Sequence, residues 1–180
     1  MVGEYKPFEG ICLVDTFELA ESRQHSFGFS IPENINRVTR QKASDIFVII
    51  GNPPYNARQA NENDNNKNRV YGEVEKWVAE SYAARSTASN KNALSDPYVK
   101  AFAWATERLR NQPHGIIAFV TNNGFLDGLA FDGMRQCLAE EFAEIYHIDL
   151  KGNARTSGER RRREGGNIFD NKIRVGVGIF

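Results

Sequence analysis

Apolar residues crowd into a few short runs along this chain, and polar stretches keep those runs apart. Residues 46–50 are five consecutive large apolar side chains, Ile-Phe-Val-Ile-Ile. A run that short and that rich in β-branched residues predicts a strand over residues 45–50, buried on both faces as in a parallel sheet. Residues 115–121 predict a second strand of the same kind, ending in Asn122-Asn123-Gly124-Phe125-Leu126. Ile145, Tyr146, Ile148 and Leu150 predict a strand within residues 143–150. Val175, Val177 and Ile179 alternate with Arg174, Gly176 and Gly178 in a last strand over residues 173–180. A smaller apolar group at residues 11–14 predicts one more, with Asp15 at its carboxyl end.

Between these runs the period changes to that of a helix. Pro32 stands early in a short helix running to about Lys42. Val74, Trp77, Val78 and Tyr82 fall three or four apart within residues 70–84. Val99, Phe102, Ala103, Thr106 and Leu109 mark a strong helix that Asp96 and Pro97 open and Pro113 closes. Met134 and Leu138 mark another over residues 131–141. Residues 56–68 are rich in asparagine and cannot pack a core, so they predict a surface loop. Strands alternating with helices predict an α/β domain with a mostly parallel sheet.

Composition narrows the picture without deciding it. The chain has 180 residues, 41% hydrophobic and 26% charged, with a formal net charge of zero. No overall positive field draws nucleic acid, so such binding has to come from a local cluster. Arg160-Arg161-Arg162-Arg163, in a basic loop spanning residues 151–166, is that cluster. It reads equally as a set of phosphate contacts or as a solvated loop. Cys12 and Cys137 lie far apart in apolar surroundings and read as free thiols, and the three histidines show no metal-ligand spacing. Without a signal peptide or a long apolar span, a cytoplasmic location is the default.

The chemistry concentrates where the first strong strand stops. Asn52-Pro53-Pro54-Tyr55 follows residues 45–50 directly. The two prolines remove two backbone donors and fix two φ angles, leaving a stiff loop that presents an amide, two carbonyls and an aromatic ring. Open α/β sheets bind ligands at the carboxyl ends of their strands. Asp15 is placed equally well to meet a ligand's hydroxyl or amino group or to cap a turn.

Asn52-Pro53-Pro54-Tyr55 resembles the catalytic motif of amino-group methyltransferases that use S-adenosylmethionine, and above all the adenine-N6 DNA methyltransferases of restriction-modification systems. The surroundings resemble the methylase segment of large single-polypeptide restriction-modification enzymes that also carry a helicase. Residues 8–16, 98–105, 115–126 and 167–179 match successive family segments in order. The resemblance implies a Rossmann-like S-adenosylmethionine-dependent fold and methyl transfer to an adenine flipped out of double-stranded DNA. It makes Asn52 and Pro53 acceptors for the adenine amino group, Pro54 a stiffener and Tyr55 a stacking platform. Phe169, in the loop before the last strand, becomes a second stacking ring or else an ordinary core aromatic. Asp15 matches a segment that holds the cofactor's adenine, and Phe102 would wall the cofactor pocket.

The family pattern is incomplete here. No Gly-rich turn precedes Asn52, the acidic residue expected to hold the cofactor ribose is missing, and no target-recognition segment follows. The expectation is therefore residues 1–180 as the catalytic part of one methyltransferase domain that lacks its early cofactor-binding strands. Further domains or subunits would supply the cofactor loop and target recognition. The same motif occurs in enzymes that methylate protein glutamine or RNA bases, and a non-catalytic remnant with a DNA-contacting basic loop is the other alternative.

Overall fold

The computed structural model describes residues 6, 8–21, 31–54, 70–169 and 173–180. Among them, four strands form one sheet: β1 (Val48–Gly51), β2 (Ile116–Asn122), β3 (Ile148–Lys151) and β4 (Val177–Ile179), in the spatial order β1-β2-β4-β3. β1 and β2 are parallel, with Val48 opposite Ile116 and Gly51 opposite Phe119. β4 lies between β2 and β3 and runs antiparallel to both. The α/β class holds, but the sheet is mixed, and the parallel arrangement is confined to the β1–β2 pair. A parallel return from β3 would need a crossover packed on the sheet. The connection carries only α5 (Gly158–Glu164), a polar helix that buries no residue.

The helices that build the core are α1 (Pro32–Ala43), α2 (Gly72–Val78), α3 (Pro97–Leu109) and α4 (Asp132–Glu141). α2 continues into a π-helical turn at Ala79–Ala83. Asp96 caps α3, its Oδ1 accepting from the Tyr98 amide at 3.4 Å, and Pro97 fills a position where no amide donor is needed. Tyr98, Val99, Ala101, Phe102, Ala105 and Leu109 are among the buried residues of α3, while Lys100, Trp104, Glu107 and Arg108 form a partly exposed face, so the helix lays one broad face into the core. Phe102 meets Phe119 of β2 and Phe125 edge-on, with ring centroids 5.1 and 5.4 Å apart. Met134, Cys137 and Leu138 of α4, with Val78 and Tyr82, complete the cluster.

α3 also fixes where β1 begins. Arg108 Nη2 donates to the carbonyls of Gln41, Lys42 and Ser44 at 2.9, 3.3 and 2.8 Å. Those carbonyls lie at the end of α1, where a helix has no partners of its own for them. The chain is thereby pinned just before the apolar run that becomes β1.

Three expectations need correction. Residues 11–14 form no strand; Asn34 satisfies their backbone instead, accepting from the Leu13 amide at 2.8 Å and donating to the Leu13 carbonyl at 2.9 Å. β1 is not buried on both faces: Val48 is 52% and Ile50 78% exposed. Ile116, opposite Val48 on the interior strand β2, is 60% exposed as well, so this face of the sheet lacks cover here among the described residues. Residues 151–166 are not all loop, since Glu159 and Arg163 close an i,i+4 pair at 2.8 Å on α5. No helix among the described residues is long and apolar enough to cross a membrane.

Candidate active site

Strand direction decides which loops share an edge of the sheet. β1 and β2 point the same way, so residues 52–54 and the turn after Asn122 leave from one edge. β3 is antiparallel to β4 and so ends at that edge too, while β4 begins there. Four segments far apart in sequence therefore converge: the Asn52 loop, the Asn123–Phe125 turn, the β3-to-α5 connection and the segment holding Phe169. This is the edge at which open α/β sheets place their chemistry.

Where β1 stops, Asn52 is exposed, Pro53 half-buried and Pro54 exposed. Tyr55 lies outside the described residues. Phe169 is 48% exposed, with its ring available rather than packed in the core. Asn167 holds that segment: its Oδ1 accepts from the Phe169 amide at 3.1 Å and its Nδ2 donates to the Val175 carbonyl at 3.0 Å. Arg160, Arg161, Arg162 and Arg163 stand on α5. Arg163 pairs with Glu159 and Arg161 donates to the Gly165 carbonyl, while Arg160 and Arg162 are exposed.

A polar network that the sequence reading did not assign ties these segments together. Asn123 Nδ2 donates to Asp149 Oδ1 at 2.9 Å and to the Val177 carbonyl at 3.2 Å. Its Oδ1 lies 3.3 Å from His147 Nε2, and its amide donates to the Gly176 carbonyl at 2.9 Å. One side chain at the end of β2 thus reaches across β4 to β3. It can do so because Gly178, in the middle of β4, has no side chain; a Cβ there would collide with Asn123 Oδ1 and His147 Nε2. The chain then turns sharply after β3 through two left-handed residues, Lys151 (φ 62°) and Gly152 (φ 85°). Asp149 Oδ1 accepts from the Lys151 amide at 2.8 Å and steadies that turn. The only sequence signals for this network were the paired asparagines after β2 and the Gly-Val-Gly of β4, and neither names its partner.

The two residues assigned to a cofactor are placed differently. Asp15 Oδ1 accepts from the Phe17 amide at 3.1 Å and its Oδ2 accepts from the Tyr71 hydroxyl at 2.6 Å, so it caps the short turn Phe17–Leu19 and ties it to α2. Phe102 is 5% exposed and its ring contacts are with Phe119, Phe125 and Phe180. Its ring packs within the core cluster.

One edge of a mixed sheet thus carries an exposed Asn-Pro-Pro after β1, a half-exposed aromatic and a basic helix. The chain belongs to the Eco57I restriction-modification methylase family, whose model matches residues 15–155. Among solved structures it is similar to DrdV in a DrdV–DNA complex, with 49% identity over 97% of this chain and a TM-score of 0.85. It is similar also to LlaBIII, an ATP-dependent Type ISP restriction-modification enzyme bound to DNA, with 44% identity over 98% of this chain and a TM-score of 0.87. A nuclease-deletion mutant of the Type ISP enzyme LlaGI, in complex with a DNA substrate mimic, matches at 41% identity over 99% of this chain, again with a TM-score of 0.87. The chain spans 17%, 12% and 14% of those three proteins. No curated protein sequence matches it.

Proposed function

We propose that residues 1–180 are the catalytic part of a site-specific DNA methyltransferase that modifies the N6 amino group of an adenine flipped out of the duplex. The observation that carries this reading is the exposed Asn52-Pro53-Pro54 loop at the end of β1, inside the span matched by the methylase family. The similar structures are DNA complexes of much longer enzymes, which supports DNA as the partner and further domains as the source of target recognition.

The adenine amino nitrogen is a poor nucleophile because its lone pair is delocalised into the ring. Asn52 Oδ1 and the Pro53 carbonyl accept from its two hydrogens, which favours a pyramidal nitrogen with a free lone pair. Neither group has to remove a proton beforehand, so no perturbed pKa is needed: the methylated nitrogen loses its proton to water afterwards, and catalysis is positioning and electrostatics. Tyr55 and Phe169 stack on the extruded base, and Arg160 to Arg163 meet backbone phosphates without reading sequence. S-adenosylmethionine is the donor the family implies, supplying a methyl group on a sulfonium. Asp15 and Phe102 are the residues that the family resemblance offers toward it.

The test is methyl transfer to duplex DNA by the intact protein, followed by mass spectrometry of the product nucleosides. Asn52→Ala is expected to lower the rate by about 10² to 10³, as loss of one preorganised hydrogen-bonding group does. Undiminished transfer would sink the role given to Asn52. Methylated glutamine or RNA, with unmodified DNA, would move the reading to that other substrate.

A further inference from the structure

The edge that carries Asn52 also holds a cleft of about 530 Å3 that neither Asn52, Pro53 nor Phe169 lines. Its polar lining includes Asn123, Asp127, His147, Asp149, Arg155 and Arg160, with Glu164 as a further carboxylate. Tyr98 contributes to its wall and is fully buried, with a hydroxyl that has no hydrogen-bond partner among the described residues. Leu126, Phe131 and Val175 add apolar surface. The volume is in the range of small-molecule sites.

The cleft is a constructed feature of the fold. The missing side chain of Gly178 lets Asn123 cross β4 to Asp149. Gly176 lines the cleft, and a Cβ on it would stand 3.4 Å from both Asn123 Nδ2 and Asn153 Cβ. Lys151 accepts a left-handed backbone, costly for a residue with a side chain, in the turn that brings Arg155 and α5 round to it. The network leaves specific valences open. Asp149 Oδ1 is used by Asn123 and Lys151, but its Oδ2 accepts no hydrogen bond among the described residues. Arg155 and Arg160 are exposed, and neither is in an ion pair among the described residues.

The pattern of charge excludes simpler occupants. No group of three His, Cys, Asp or Glu among the described residues could hold a metal ion. A bare anion would meet Asp127, Asp149 and Glu164 as well as the two arginines. A ligand that combines an anionic group, N–H donors and a ring has a partner in each part of this lining. We propose that this cleft takes one unpaired nucleotide, its phosphate held by Arg155 and Arg160 and the amino-bearing edge of its base met by Asp127 and Asp149. The inference rests on the nucleic-acid reading above and adds a second nucleotide site, distinct from the loop that would hold the methylated base. The nucleotide could come from a DNA strand opened beside the target or from solution, and the recognition chemistry is the same.

The experiment uses the intact protein in an Asn52→Ala background, so that the target-base loop does not report. Calorimetric titration compares deoxyadenosine monophosphate, thymidine monophosphate, which lacks the amino group, and a single strand of about ten nucleotides. Deoxyadenosine monophosphate is expected to bind about tenfold more tightly than the thymidine nucleotide. Arg155→Glu is expected to weaken both by about tenfold or more, and Asp149→Asn to bring their affinities together. Both substitutions preserve the local bonds, since Arg155 is an exposed side chain and the amide introduced by Asp149→Asn keeps an oxygen for Asn123 and Lys151. Displacement of the mononucleotide by the single strand identifies DNA as the source; undisturbed binding identifies a free nucleotide. The proposal is overturned if no nucleotide or strand binds saturably, or if both variants bind like the parent. Methyl transfer by the wild-type protein is read in parallel. Transfer without cleft binding overturns this inference alone, and cleft binding without transfer overturns the methylase reading alone.

Discussion

Gly178→Ala tests whether the sheet edge is held by Asn123 as described. The new Cβ falls on Asn123 Oδ1 and His147 Nε2, both ends of side chains that can move, so the substitution displaces bonds rather than backbone. Displacing Asn123 removes a bond to the Asp149 carboxylate, a bond to the Val177 carbonyl and a long contact to His147. A charge-assisted bond near the surface and a neutral one together are worth about 2 kcal/mol. For a chain of this size that lowers the thermal midpoint by about 4–8 °C. The same bonds are lost in Asn123→Ala, so adding Gly178→Ala to it should cost about 1 kcal/mol or less, the remainder being a clash that exposed His147 relieves by turning outward. The two substitutions are thus coupled by about 1 kcal/mol or more, measurable as a double-mutant cycle from denaturant or thermal unfolding of the 180-residue chain. Additive effects, within about 0.5 kcal/mol, would show that Gly178 is required for some reason other than the passage of Asn123.

Two further outcomes follow from charged groups elsewhere. Hydrogen bonds from Ser86 and Thr87 hold the Asp132 carboxyl well below its ordinary value of 3.8. A depressed folded pKa means stability that is present above the ordinary value and lost as pH falls through the lower one. The stability gap between wild type and Asp132→Asn should therefore be full at neutral pH and close in an acid titration of the unfolding midpoint below about pH 4; a gap unchanged down to the lowest pH would refute the linkage. On α5, Arg162 is exposed and in no ion pair among the described residues. If it meets a phosphate, Arg162→Ala reduces the slope of log affinity against log salt by about 0.9 for duplex DNA, and an unchanged slope removes it from the interface.

The sequence made some of this legible for physical reasons that recur. α3 could be placed because a cap, a proline and a helical period agree on the same residues. β1 and β2 could be placed because an uninterrupted apolar run is too short for anything but a strand. The stiff loop after β1 followed from its two prolines alone. Direction and neighbourhood were not legible in the same way. The alternation of Val175, Val177 and Ile179 is identical for a parallel and an antiparallel strand, so nothing local revealed that β4 inserts between β2 and β3. Residues 11–14 have strand-like apolarity, but their backbone partner is the Asn34 side chain, 21 residues away. Asn123, His147 and Asp149 meet only through strand order, so no spacing announces them, and the glycine that permits the meeting looks like an ordinary weak point in a strand. A ring on a helix, such as Phe102, looks the same from sequence whether it faces a pocket or a core.

The antiparallel insertion of β4 also has a kinetic side. β4 comes after both of its neighbours in the chain, and Asn123 and Val177 are 54 residues apart. During synthesis β2 and β3 each emerge with an open edge that only this later segment can fill. Long-range pairing of that kind is slow to form, and at ribosomal speeds of about 5–20 residues per second the delay lasts seconds. Throughout that interval the Asn123 network, the cleft and the Phe169 segment do not yet exist as neighbours. The loop at Asn52 can be made early, but the edge around it is assembled in one late step.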